Sequence, residues 1–444
     1  MQVMKRLRLA TATCLSFLVF IYVHLSLTTI TNLTIFQELN HFRVLFSQSQ
    51  LEQAGQITCN RSHAYYDLCS IDGPTLLEPI TSTLYALDPI NSTQQPIWLK
   101  TRPYPRKWDK GAMSKVKELT LTSAPHSTRC EVTHNTPALV FSAGGYTGNF
   151  FHDFSDGFVP LFITINSLFY NQDVTLVISD CNDLWWPQKY AEILAQFSHS
   201  PIIDIKKRRV THCFPSAIVG LIKHGPMIVD PTLLPHHPKS LADFRIFLEN
   251  SYKKKGVDDV LITSYNRPQL VFVIRKLDVG RAILNKKEVI KAIEEVGFDV
   301  NVLDPTTTHA SLAKAFKLVH SSHAMFGVHG AGLTHMLFLR PRAVLVQVVP
   351  IGVDLPSNIS FKGPAKNLGL EYMDYKVKPK ESSLAEIYGA NDLVLKNPDA
   401  YVNGNYSNMR VYMRTQNLKL DIVRFKRYLV KVYKKAKKFM DMES

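Results

Sequence analysis

The feature that most constrains this chain is a run of strand-like and helix-like segments alternating from Leu270 to Val349. Leu270–Ile274, Phe298–Leu303, Ala324–Val328 and Ala343–Val349 read as buried strands. Lys286–Val296 places Val289, Ile290, Ile293 and Val296 on one helical face, and Gly297 closes it. Ser311–Val319 predicts a second helix and Leu333–Leu339 a short third one. Strands linked by helices at this spacing form parallel sheets with right-handed crossovers. A weaker alternation precedes it, with strands expected at Ala138–Ser142, Val174–Ser179, Ala217–Leu221 and Met227–Val229 and a helix at Gln188–Phe197. The expected class is therefore α/β, with two Rossmann-like domains at 137–255 and 256–410 facing a cleft. Lys253–Tyr265 reads as their linker. Residues 31–136, rich in Ser, Thr and Pro, read as a stem and extension, and 411–444 as a basic C-terminal helix.

At the amino end, Lys5, Arg6 and Arg8 precede a largely apolar run, Leu9–Ile30, long enough to cross a bilayer as a helix. The basic flank keeps residues 1–8 in the cytosol and sends the rest to the lumen, a single-pass type II arrangement. A cleavable signal peptide is the competing reading, but the run is long for one and lacks a small-x-small site. Sequons open at Asn32, Asn60, Asn91, Asn358 and Asn405, which fits a secretory chain. Cys59 and Cys69 are close enough for a local disulfide; Cys181 and Cys213 flank one predicted unit and form a second candidate pair, leaving Cys130 odd. With no C-x-x-C pair, a zinc site is not expected.

The formal net charge of +15 invites a nucleic-acid reading. Its distribution opposes one: between Arg410 and Lys438 eleven Lys and Arg face Asp421 alone, and no nucleic-acid motif accompanies them. A basic terminal helix in a lumenal protein suits anionic polysaccharide, membrane headgroups or plain solvent.

Gly327–Leu333 (GVHGAGL) runs from a buried strand through a glycine turn into a helix, which exposes backbone N–H groups as an anion site. His329, Gly330, Ala331, Gly332 and Leu333 are its candidate contacts. Arg275 and Arg281 follow the Leu270–Ile274 strand at the carboxyl edge where open α/β sheets bind ligands, and two guanidiniums there neutralise a diphosphate without a metal. Earlier, Gly144–Asn149 leads into Phe150–Asp156. If that stretch is helical, His152 and Asp156 lie four apart on one face, a pair suited to general-base work, with Asn149 three before His152. Arg102–Lys107 (RPYPRK) sets three cations around two prolines in a rigid extended segment.

At these motifs the sequence resembles plant members of glycosyltransferase family 61, the xylan arabinosyl- and xylosyltransferase group. The likeness runs from about Cys59 to Leu429 through RPYPRKWDKGAM, GGYTGNFFHDFSD, WWPQKY, HCFP, VHGAGLTHMLFLRP and EYMDYK in order. It implies a GT-B-like fold, an inverting mechanism, a type II Golgi anchor and no obligatory cofactor, with metal dependence open. The implied donor is UDP-arabinofuranose or UDP-xylose, the acceptor xylan or another glycan, and other xylan synthases are possible partners. Transfer of β-1,2-xylose to N-glycans and a silent lumenal scaffold are the alternative roles. Animal relatives keep an N-x-x-H-x-x-x-D pattern that falls on Asn149, His152 and Asp156, which favours Asp156 over Asp153. His335 stands where many plant relatives have asparagine, and IRKLDVGR replaces the commoner ISRKGSR around the arginines.

Overall fold

The computed structural model describes residues 56–87, 97–124, 129–181, 185–234, 237–253, 266–305, 312–389, 391–405 and 407–443. The expected anchor at 9–30, Asn32, Asn91 and most of the expected linker lie outside them. Among the described residues no helix is long and apolar enough to cross a membrane.

Five strands, Gln269–Val273, Asp299–Leu303, Ala324–Val328, Val344–Val349 and Glu371–Lys376, pair in parallel throughout. The three central ones are buried along their whole length, as near-continuous apolar runs require of strands covered on both faces. Asp299–Leu303 pairs on one side of Gln269–Val273 and Ala324–Val328 on the other. The winding therefore reverses between these last two strands, and their carboxyl ends border a crevice. Lys286–Val296 forms the expected helix, burying Val289, Ala292 and Ile293. The segment after the glycine turn is a tighter 3-10 helix, Ala331–Phe338, buried from Leu333 onward.

A second, mixed sheet has the order Gln56–Asn60, Leu68–Asp72, Ala217–Val219, Ala138–Ala143, Thr175–Cys181, Ile203–Asp204. Its last four strands are parallel. Here too the winding reverses, since Thr175–Cys181 and Ala217–Val219 flank Ala138–Ala143. A third sheet joins Thr75–Glu78, Thr83–Leu87, Trp98–Thr101, Leu119–Ala124, Val132–Thr133 and His212–Phe214. Among the described residues seven strands thus lie within 56–133, a stretch the sequence suggests as stem and extension. Met227–Val229 is not a strand; Met227 takes a positive φ of 53° in a turn.

Cys59 and Cys69 are direct cross-strand partners and form a disulfide, as their spacing suggests. The second expected pair is corrected. Cys213 bonds Cys130, because Val132–Thr133 pairs with His212–Cys213 and brings the two sulfurs together. Cys181 ends a strand of the other sheet, buried and outside both disulfides. The basic terminal helix, Ile422–Asp441, buries Phe425, Leu429, Val432 and Ala436 in the core of the second unit and Phe439 edge-on to His323. Several of its cations pair on the surface, Lys426 with Glu295 and Lys435 with Glu371 among them. Asn358 and Asn405 are exposed, and Asn60 is half-buried.

Candidate active site

Both reversal points carry charged side chains. In the first unit the chain leaves Ala138–Ala143, turns through Gly144–Asn149 and enters a helix at Phe150. Asn149 caps that helix, its side chain accepting from the Phe151 N–H at 3.1 Å. The helix opens into a π-helical turn, Asp153–Phe158, a widening often found where a helix serves a site.

Asp156 on this turn is fully buried and surrounded by donors. His152 Nδ1 lies 2.6 Å from its Oδ2, Tyr104 Oη donates at 3.3 Å and Arg106 at 3.4 Å, while Lys223 Nζ bonds Oδ1. Burial alone pushes the carboxyl pKa up, but Lys223, then His152 and Arg106, outweigh it and hold the group below its ordinary value. A carboxylate accepts only, so His152 donates from Nδ1. Asp153 turns the other way, taking hydrogen bonds from Gly148 N–H, Trp186 Nε1 and Tyr190 Oη. Its pKa is raised by burial.

In the second unit, Arg275 and Arg281 follow Gln269–Val273, and His329 and Gly330 follow Ala324–Val328, so all four stand at the crevice. Arg281 adopts a left-handed backbone, φ 61°, and donates to the His329 carbonyl at 2.9 Å. Its Nε is buried with no hydrogen-bond partner. Arg275 donates to the carbonyl of Gly280 at 3.1 Å and packs over Gly330 so closely that any Cβ there would collide with its guanidinium. Gly330 also takes a positive φ of 155°, so backbone and contact together favour glycine there. Gly332 is similarly excluded from carrying a side chain by Val273 and Pro305.

Arg414 completes the cluster from the Val411–Thr415 turn, whose backbone packs against Gly280. Among the described residues no carboxylate pairs with Arg275, Arg281 or Arg414. Burial and then Arg414 push Arg275 down to about 10; burial, Arg275 and Arg414 push Arg281 down to about 9. His329 is buried and held neutral by burial and these arginines, its Nδ1 taking a hydrogen bond from Gln347 Nε2 at 2.9 Å.

Two phenylalanines join the halves. Phe150 stacks on His335 at 4.3 Å, and Phe151 meets Phe361, which lies edge-on to His329. Among the described residues no three His, Cys, Asp or Glu side chains gather at metal-binding spacing.

A family model described as Glycosyltransferase 61 matches residues 148–346, which span both half-sites. An Arabidopsis thaliana xylan glycosyltransferase, MUCI21, is 35% identical over 407 residues, covering 87% of this chain and 81% of that protein. The chain belongs to glycosyltransferase family 61. Two rice (Oryza sativa subsp. japonica) relatives are an alpha-1,3-arabinosyltransferase, XAT3, at 35% over 384 residues, and a beta-1,2-xylosyltransferase, XAX1, at 31% over 382. Those alignments cover 86% and 83% of this chain and 66% and 65% of the relatives.

The structure brings together His152 with Asp156, and Arg275 and Arg281 with His329, Gly330, Ala331 and Gly332. Asn149 is a helix cap. Leu333 packs beneath Gly327 in the core, and His335 is buried at the junction, its Nδ1 donating to the Gly332 carbonyl. Tyr104, Arg106, Lys223 and Arg414 are neighbours of these clusters that the motifs alone did not single out. The RPYPRK run carried the signal for the first two, and Lys223 follows the strand beside Ala138–Ala143.

Proposed function

We propose that this glycosyltransferase transfers arabinofuranose or xylose from its UDP-sugar to xylan in the Golgi lumen, inverting the anomeric centre on a GT-B-like scaffold. The observation that carries the reading is an arginine cluster that, among the described residues, meets no carboxylate, set at a sheet crevice against a glycine turn. Arg275, Arg281 and Arg414 hold the diphosphate, and the first N–H groups of the 3-10 helix lie beside them. An acceptor hydroxyl approaches His152 Nε2 and gives up its proton there as its oxygen attacks the anomeric carbon. The bond from that carbon to the UDP oxygen breaks on the opposite face, and the departing negative charge falls on the arginines. Asp156 keeps His152 oriented and stabilises the imidazolium; hemmed in by Lys223 and Arg106, it is itself a poor base.

The test incubates the purified lumenal part with UDP-arabinofuranose or UDP-xylose and with xylo-oligosaccharide or N-glycan acceptors, with and without EDTA. Mass spectrometry reads the transfer and NMR the anomeric configuration. A pentose added to xylo-oligosaccharide with inversion is expected; transfer confined to the N-glycan, or retention, defeats the reading. Calorimetry showing no UDP binding makes the chain a scaffold instead.

A further inference from the structure

Trp108 is half exposed, at 48%, beside the most buried charges of the first unit. Isolated apolar side chains on a surface are ordinary. This one differs in what holds it and where. Tyr65 packs edge-on against the indole at 4.9 Å. The Arg106 guanidinium carbon lies 4.9 Å from the ring centroid and Lys223 Nζ 5.5 Å from it. Both of those cations also contact Asp156. The ring is thus one residue removed from the carboxylate that orients His152.

Its backbone is pinned as well. The Lys107 N–H donates to the Tyr65 carbonyl and the Asp109 N–H to the Arg106 carbonyl, while the Asp109 side chain binds Arg106 and caps the short helix that follows. Tyr146, which donates to Asp109, lies 4.9 Å from the His152 ring. On the other side of the turn, Lys107 and Tyr104 help line a cleft of about 220 Å³. A rigid indole with an open surface binds an apolar face at little entropic cost. The apolar face a sugar offers is the patch of C–H bonds on a pyranose whose hydroxyls are all equatorial.

We propose that Trp108 is the stacking platform for the acceptor pyranose, placing its hydroxyl toward His152. The cations beside the ring make its π-cloud part of the same electrostatic unit as Asp156, so the platform is fixed relative to the base. This deepens the acceptor side of the function proposed above and rests on it.

The experiment measures transfer kinetics, UDP binding and direct titration of xylohexaose for the unmodified protein, Trp108→Ala, Trp108→Phe and Trp98→Ala. Trp98 is the control, more exposed and on an edge strand of the third sheet. Trp108→Ala is expected to raise acceptor KM and weaken xylohexaose binding about tenfold, with UDP affinity and kcat within about twofold. Trp108→Phe keeps most of the binding and Trp98→Ala all of it. Unchanged xylohexaose affinity in Trp108→Ala overturns the platform. Should Trp108→Ala melt early, the same comparison is read from Trp108→Phe, where a loss below about 1.5-fold in both KM and affinity overturns it. Should the unmodified protein transfer nothing, the functional reading fails separately; the platform then stands only if xylohexaose binds and Trp108→Ala weakens it.

Discussion

The two charged clusters are compensated in opposite ways. Around Asp156, Lys223 and Arg106 each meet the carboxylate, and Arg106 meets Asp109 as well. Around the glycine turn, Arg275 and Arg281 meet, among the described residues, carbonyls and, with Arg414, one another's charge. The first cluster is complete before any ligand arrives, and its carboxylate accepts from His152 Nδ1. The second stores repulsion that an arriving anion relieves. On the function proposed above, positioning a base and binding a diphosphate call for these opposite arrangements.

Breaking the compensated side should have the largest effect. Asp156→Ala leaves the Lys223 charge buried and unpaired, so we expect a loss of about 3–5 kcal/mol in urea unfolding together with loss of transfer. The pH dependence has a definite sign. The folded pKa of Asp156 lies below 3.8, so its stabilisation is present above that value and is lost as pH falls beneath it. The variant should lack that part of the acid dependence.

His152→Ala should cut kcat by about 10²–10⁴-fold while leaving melting temperature and UDP affinity in place. A melting loss as large as that of Asp156→Ala would make His152 a structural member of the cluster.

On the uncompensated side, Arg281→Ala should cost on the order of 10²-fold in kcat/KM. Calorimetric titration should show UDP affinity falling in Arg281→Ala as well.

Arg414→Gln sharpens the contrast with the smallest change. It should weaken UDP binding roughly tenfold yet leave the ligand-free melting temperature equal or higher. The sign follows from linkage. Arg275 and Arg281 have folded pKa values below 12.5, so the folded chain binds fewer protons than the unfolded one at high pH and is stabilised as pH rises there. Removing a neighbouring positive charge relieves the same repulsion at neutral pH. A drop in melting temperature would show that Arg414 holds the fold together.

What could be read from the sequence was local. Lys286–Val296 and Ala324–Val328 form as their patterns predict, since burial and periodicity sit in the segments themselves. His152 and Asp156 were legible for the same reason, being four apart on one helix. The tighter winding of Ala331–Phe338 was not, because burial of nearly every side chain there hides the period. Short strands of four to six residues between Gln56 and Ala124 look like extension until their partners are known. Cys130 finds Cys213 only through the register of two strands 79 or more residues apart in sequence. Lys223 lies 67 residues from Asp156 and reaches it only because the sheet winds back past Ala138–Ala143.

The Phe150–His335 stack has a consequence for how the enzyme turns over. It belongs to one apolar core that includes Phe154 and Phe158 from the first unit and Val273, Leu333 and Met336 from the second. On the function proposed above, closing the halves around a donor would mean shearing that core, which favours a gap set before either substrate arrives. Initial-velocity patterns should then fit random addition of donor and acceptor, with each finding its own seat in a mouth of fixed width.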